Sequence, residues 1–364
     1  MGYYPNILCC ALNVLTNIGY GMLNCTLGGQ IVSKVSGGSV SVLFGIIIVA
    51  LVSLVMAICG MRIFQIYERF SWLPQLIVLC VMIGTVGPQF DFSTPSQLPH
   101  EQVVANRVTF FFLSLSTSLA WVPVAADYYV YYPPQTKPWK TFAMTSMGLG
   151  LAMILTLLVG VGLGTAVASN PRAHDSPGSL IMAGYGTLGS FGKFCAVINA
   201  FGVIANNAPG AYSMSMNCQM LGDGWQKVPR PVFTVVSTII YAACAIGGRN
   251  SLYEIFKNFL PLIGYWIVIW FVIFLEEHWF IRRTRGYDWS AWNDRRRLPL
   301  GLAAGIAFLA GWAGAIIGMD QIYYTGPVAR AVAGGCDLGL CLAAGFTALV
   351  FPPIRMMELW TFRR

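Results

Sequence analysis

The sequence predicts an all-α polytopic membrane protein. Charged residues make up only 10% of its 364 residues, hydrophobic residues make up 56%, and the mean hydropathy is +0.65. Apolar runs of about 20 residues, each long enough to cross a hydrocarbon core of ~30 Å, recur along the chain. Basic residues fall in short stretches between those runs, and alternate stretches are unequally charged. A soluble domain carries about 25% charged residues. A surface this poor in charge must therefore face lipid.

Ten spans are predicted, at 7–32, 38–61, 72–90, 108–126, 141–168, 191–220, 232–247, 255–280, 299–318 and 330–351. Backbone polar groups in lipid must be satisfied within the segment, so runs of this length are helices. One set of connecting segments holds fifteen Lys and Arg: Arg62, Arg69, Lys137, Lys140, Lys227, Arg230, six between 282 and 297 (Arg295 among them), and Arg355, Arg363 and Arg364. The other set holds seven: Lys34, Arg107, Arg172, Lys193, Arg249, Lys257 and Arg330. The richer side is expected to be cytoplasmic, with both termini inside, as an even number of spans requires. Topology therefore accounts for the net charge of +8, and nucleic acid is not expected as a partner. The ten cysteines lie in or beside apolar runs without the paired spacing of a zinc site, so no metal is expected.

Polar chemistry enters the membrane at three places. In the first span, Asn13, Asn17, Tyr20 and Asn24 are spaced 4, 3 and 4, which stacks them on one helical face. Amides in hydrocarbon are costly unless paired. The stripe is either glue between helices or a cavity wall. The fourth span carries Ser114, Ser116, Thr117, Ser118, Trp121 and Pro123 and ends at Asp127. Pro123 removes a backbone donor and should break the helix. Trp121 is either an interfacial ring or a stacking platform for a ligand, whereas Tyr128, Tyr129, Tyr131 and Tyr132 fit an interfacial belt. In the sixth span, Asn206-Asn207-Ala208-Pro209-Gly210 makes a poor continuous helix. Irregular backbone lining a cavity is expected there, with a simple kink as the plainer alternative.

No Lys or Arg falls near the middle of a predicted span. Asp337, the deepest acid, stands in the last span without a visible partner, and the histidines His100, His174 and His278 lie in loops or at a span end. A cavity without fixed charge suits a small, flat, uncharged solute. Aromatic rings stack on its π faces, and amides both donate and accept. The chain has no HExxH, no GxSxG and no phosphate loop, so neither catalysis nor ATP-driven transport is expected. Gly160 and Gly164 have helix-packing spacing. The basic loop from Gly286 to Arg297, with two tryptophans, is read as a cytoplasmic loop at the lipid headgroups, with partner binding as the minor alternative.

Seven segments carry a family resemblance that runs nearly end to end. They are Gly2-Tyr3-Tyr4-Pro5, Gly19-Tyr20-Gly21-Met22-Leu23-Asn24 with Gly28-Gly29-Gln30, Tyr67-Glu68-Arg69-Phe70-Ser71-Trp72-Leu73-Pro74, Trp121-Val122-Pro123-Val124-Ala125-Ala126-Asp127-Tyr128, Asn206-Asn207-Ala208-Pro209, Asn258-Phe259-Leu260 through Ile263-Gly264-Tyr265-Trp266 to Leu275-Glu276-Glu277-His278, and Gly318-Met319-Asp320-Gln321-Ile322-Tyr323-Tyr324-Thr325-Gly326-Pro327. Together they resemble the nucleobase–cation symporter family, specifically its fungal purine–cytosine permeases. The resemblance implies a twelve-helix fold of two inverted five-helix repeats plus two helices. Here 7–90 would be the rest of the first repeat, 108–281 the second, and 299–353 the two extra helices, all in one transmembrane domain.

It also implies proton-coupled uptake of cytosine, adenine, guanine and hypoxanthine across the plasma membrane, with no cofactor beyond the co-transported proton. By the same carry-over, Asn24 would hydrogen-bond the base and Trp121 would stack on it. Asn206 and Pro209, with Asn207 and Gly210 in the same segment, would shape the other wall, and Tyr20 would border it. Pro123 and Asp127 are candidates for the helix break and for coupling. The chain departs from the pattern at Tyr20, where the family usually has Trp, and at Gly210, where it usually has Asn. It also begins at the family's third helix, so a longer transcript encoding two further spans is expected. A carrier of allantoin, uracil, hydantoin, a vitamin or an amino acid stays open, as does a transport-inactive scaffold or sensor. The sequence fixes no oligomeric state.

Overall fold

The computed structural model describes residues 1–166, 175–291, 294, 296–332 and 335–362. Arg172, His174, Arg295, Arg363 and Arg364 lie outside the described residues. A helix covers each predicted span: α1 (Tyr3–Val35), α2 (Val42–Cys59), α3 (Met61–Val86), α4 (His100–Leu119) with the short α5 (Ala125–Tyr129), α6 (Pro138–Ala166), α8 (Gly189–Gln219), α10 (Arg230–Gly248), α11 (Leu252–Glu276), α13 (Leu302–Gly318) and α15 (Gly339–Phe362). Eight of these, or of their continuations, are long and apolar enough to cross a membrane among the described residues. α4 is too polar to count with them, and α13 is one residue short of the length of α2. Short helices α7 (Pro177–Gly184), α9 (Asp223–Gln226), α12 (Arg283–Arg285) and α14 (Pro327–Ala331) fill connections. A two-residue hairpin pairs Asp320 with Thr325 and Gln321 with Tyr324.

Large apolar side chains point outward, such as Phe142 (74% exposed), Leu309 (71%) and Leu349 (77%). In water such faces would be covered; in lipid they are the normal surface. Inside, small residues let backbones touch. A Cβ at Gly45 of α2 would lie 2.6 Å from the carbonyl oxygen of Gly29 on α1. Gly21 meets the ring of Tyr241 on α10, and Gly19 meets Phe259 on α11. Without a hydrophobic drive between helices in lipid, such close packing is what holds them together. α1 is consequently central, against α2, α8, α10 and α11.

The structure corrects several boundaries. α3 starts at Met61, not at 72, so Arg69 lies within the helix. The last span starts at Gly339 and runs to Phe362, so Asp337 precedes it rather than lying inside. Asp337 also has partners. Its carboxylate accepts from Tyr265 Oη at 2.6 Å, Gln321 Nε2 at 2.7 Å and the Gly339 amide at 2.9 Å. Arg355, read as a connecting-segment charge, is inside α15, only 2% exposed, and paired with Glu277 and Glu358. The helix break expected at Pro123 is present: α4 ends at Leu119, and Ala120 to Val124 form successive turns before α5. The irregular backbone expected at Asn206–Gly210 is not, because α8 runs unbroken through Pro209. Proline within a membrane helix costs one backbone bond, which neighbouring helices can compensate.

Candidate functional site

Four helices converge on a cavity of about 220 Å³. α1 supplies Asn17 and Tyr20. The end of α4 and the break supply Thr117, Ala120, Trp121 and Val124. α6 supplies Met153, and α8 supplies Asn206, Asn207 and Gly210. Helical spacing explains the shared faces: 17 and 20 are one turn apart on α1, as are 206 and 210 on α8. Trp121 and Val124 reach the cavity because the chain leaves the helix at Leu119. Among the described residues, no charged side chain lines the space. It is small beside the 300–1,000 Å³ of drug-sized sites and suits a solute of one or two rings.

Five of the seven residues expected at the binding site therefore meet: Tyr20, Trp121, Asn206, Asn207 and Gly210. Asn24 stands behind the wall rather than on it. Its Oδ1 accepts from Asn206 Nδ2 at 3.3 Å. Its own Nδ2 is buried with no hydrogen-bond partner, and so is the hydroxyl of Tyr20. Asn207 Nδ2 is turned toward Cys25 Sγ, 3.8 Å away. Pro209 is buried in α8 and does not reach the cavity. The polar stripe of α1 serves both of its possible uses. Asn13 pairs with Asn17 within the helix, while Asn17 and Tyr20 form cavity wall.

Pro123 and Asp127 line a different, more open space of about 440 Å³ with Ser213, Asn217 and Arg230. The broken segment thus has the first cavity on one side, through Trp121 and Val124, and the second on the other, through Pro123. A third cavity of about 300 Å³ lies nearer the His100 end of α4, where Asn106, Thr109, Lys257, Asp320 and Asp337 face it. The sequence reading missed it because it joins residues from three distant segments. The signal present was the Asp320-Gln321 pair in the hairpin motif. Of the four tyrosines assigned to an interfacial belt, Tyr131 and Tyr132 are exposed. Tyr129 instead bonds Thr145 at 2.8 Å and Tyr128 bonds Glu68 at 3.4 Å.

An all-α polytopic membrane protein that encloses a small, uncharged, amide-and-aromatic cavity among its helices has the build of a solute carrier. No family model matches the chain, and no solved structure matches it. Curated relatives do. A purine-cytosine permease of Emericella nidulans is 32% identical over 370 residues, covering 100% of this chain and 72% of the relative. A vitamin B6 transporter of Saccharomyces cerevisiae is 28% identical over 97% of this chain and 71% of its own length. A purine-cytosine permease of the same yeast is 28% identical over 97% and 68%. The chain belongs to the nucleobase–cation symporter family of purine–cytosine permeases.

Proposed function

We propose that this protein carries purine bases and cytosine across the plasma membrane, driven by co-transported protons. The observation that carries the reading is the cavity between α1, α4, α6 and α8, lined by the amides of Asn17, Asn206 and Asn207 and the rings of Tyr20 and Trp121, with no charged side chain among the described residues. A nucleobase is flat, neutral and rimmed with donors and acceptors. Trp121 stacks on its face. Asn206 bonds the base from the wall and Asn24, behind it, orients that amide through their mutual bond, with Asn207, Pro209 and Gly210 holding the α8 wall in place. Tyr20 closes the side, and its hydroxyl donates to the solute. The turns around Pro123 separate the cavity from the space containing Asp127, so their movement gates one side, and Asp127 is a candidate for the coupling proton.

Uptake of radiolabelled cytosine, adenine and hypoxanthine, in cells lacking their own permeases, tests this. Saturable uptake that rises as external pH falls, and that Asn206→Ala abolishes, is the expected result. Absence of uptake for every base, with the protein confirmed at the cell surface, would sink the reading. The vitamin B6 transporter among the relatives makes pyridoxine the informative further solute. Uptake of pyridoxine alone would move the substrate assignment to a vitamin.

A further inference from the structure

The geometry points to Asn17 as a specificity-determining residue, whose Oδ1 is the acceptor for an N–H group of the bound solute. The inference rests on the cavity being a nucleobase site, as proposed above. Asn17 is 7% exposed and lines the cavity. Its Nδ2 donates to the backbone oxygen of Asn13 at 2.8 Å and to Asn13 Oδ1 at 3.2 Å. A backbone carbonyl can only accept, so nitrogen must face it and the amide cannot be turned round. Asn17 Oδ1 is thereby directed away from Asn13.

On that side stands Gly210. A Cβ at position 210 would lie 2.9 Å from Asn17 Oδ1, nearer than real side-chain carbons come. Glycine at this point of α8 therefore leaves the oxygen its place at the cavity wall. No described group donates to it. A solute that fills the cavity takes water from this oxygen, which costs free energy unless the solute itself donates; a solute N–H removes that cost. On the same wall, Asn206 Nδ2 is a donor held only by Asn24 Oδ1, at 3.3 Å. The cavity therefore asks for a solute edge bearing both an N–H and an acceptor, such as the edges of cytosine and the purines. A solute of the same shape without the N–H leaves Asn17 Oδ1 unpaired and is disfavoured.

The test is competition binding with labelled cytosine on membranes containing the full chain. The competitors are cytosine itself, 1-methylcytosine, which lacks the ring N–H, and 2-pyrimidinone, which lacks the exocyclic amine. On the parent, at least one analogue is expected to compete about three- to tenfold more weakly than cytosine, the range of one neutral hydrogen bond. In Asn17→Leu that gap closes to within about twofold, because the acceptor is gone. In Gly210→Ala it narrows likewise, because the new methyl displaces the oxygen; this variant alters the other helix and serves if Asn17→Leu fails to fold. A parental gap retained in either well-expressed variant would overturn the inference and leave the nucleobase reading standing, as would a parent that does not discriminate. No cytosine binding to the parent, with the chain confirmed in the membrane, would overturn the reading and the inference together.

Discussion

Trp121 is the largest side chain lining the cavity, and none of the described aromatic rings stacks on it. Under the proposed function its indole stacks on the flat solute. Base–aromatic stacking is worth about 1–3 kcal/mol, so Trp121→Ala should weaken solute affinity about 5- to 150-fold, and Trp121→Phe should restore part of it. Equal KM values for all three in an uptake assay would remove Trp121 from the solute contact. This residue was legible because a tryptophan before a proline in an apolar run is conspicuous. The amides Asn206 and Asn207 were legible for the same reason, since their polarity is out of place in hydrocarbon. Thr117, Val124 and Met153 were not, because they look like ordinary helix residues and gain meaning only when α4 and α6 meet. The Asn24–Asn206 bond was hidden likewise: its partners are 182 positions apart, and their pairing depends on α1 lying against α8.

At the scale of elements, glycine contacts set how near the helices lie. Gly45 of α2 stands against the backbone of Gly29 on α1, and Gly28 faces Val49. Gly45→Val would drive its branched side chain into a carbonyl, so the helices must part. Overpacking of this kind costs about 1–3 kcal/mol or more. A lower unfolding temperature in detergent, with Ala intermediate between Gly and Val, is expected; an unchanged transition would mean the crossing is looser than the structure has it. Long apolar runs made the helices themselves legible, since only a helix satisfies the backbone in lipid. The interruptions were legible only in part. Pro123 ends a helix because Ala120 to Val124 adopt turns. Pro209 does not, because α8 is held along its length by α1, α2 and α10. The short helix α7 escaped the sequence reading because tertiary contacts, not apolar length, hold it. Gln30 Oε1 accepts from the Gly178 amide at 3.2 Å, and Ser176 Oγ caps the first turn.

Over the whole molecule, charge locks one end of the chain. Glu277 pairs with Arg282 and Arg355, each at 2.9 Å, and Arg355 pairs with Glu358 at 3.0 Å. Glu358 Oε1 in turn accepts from the Gly301 and Leu302 amides at the start of α13, where a helix N-terminus favours an anion. This network joins α11, α13 and α15. Arg355→Met would leave Glu358 without a counter-ion and Glu277 with Arg282 alone, and removing one partner of a buried pair costs about 3–5 kcal/mol. Sharply reduced thermal stability is therefore expected, and a stability equal to the parent's would show that water reaches the network.

The remaining basic residues carry an expectation of orientation. Lys137 and Lys140 follow α5, whereas the connection between α1 and α2 holds no charge beyond Lys34 at the helix end. Since positive charge stays on the cytoplasmic side, Ser39 should face outward and Gln135 inward; both are exposed in connecting segments. Cysteines introduced as Ser39→Cys and Gln135→Cys report this directly with a membrane-impermeant thiol reagent. Labelling of position 39 in intact cells, and of position 135 only after permeabilisation, is expected. The reverse pattern would invert the molecule and place the space around Asp127 and Arg230 outside. Labelling of both positions in intact cells would mean that an even number of spans separates them, and that one of α2, α3 and α4 does not cross.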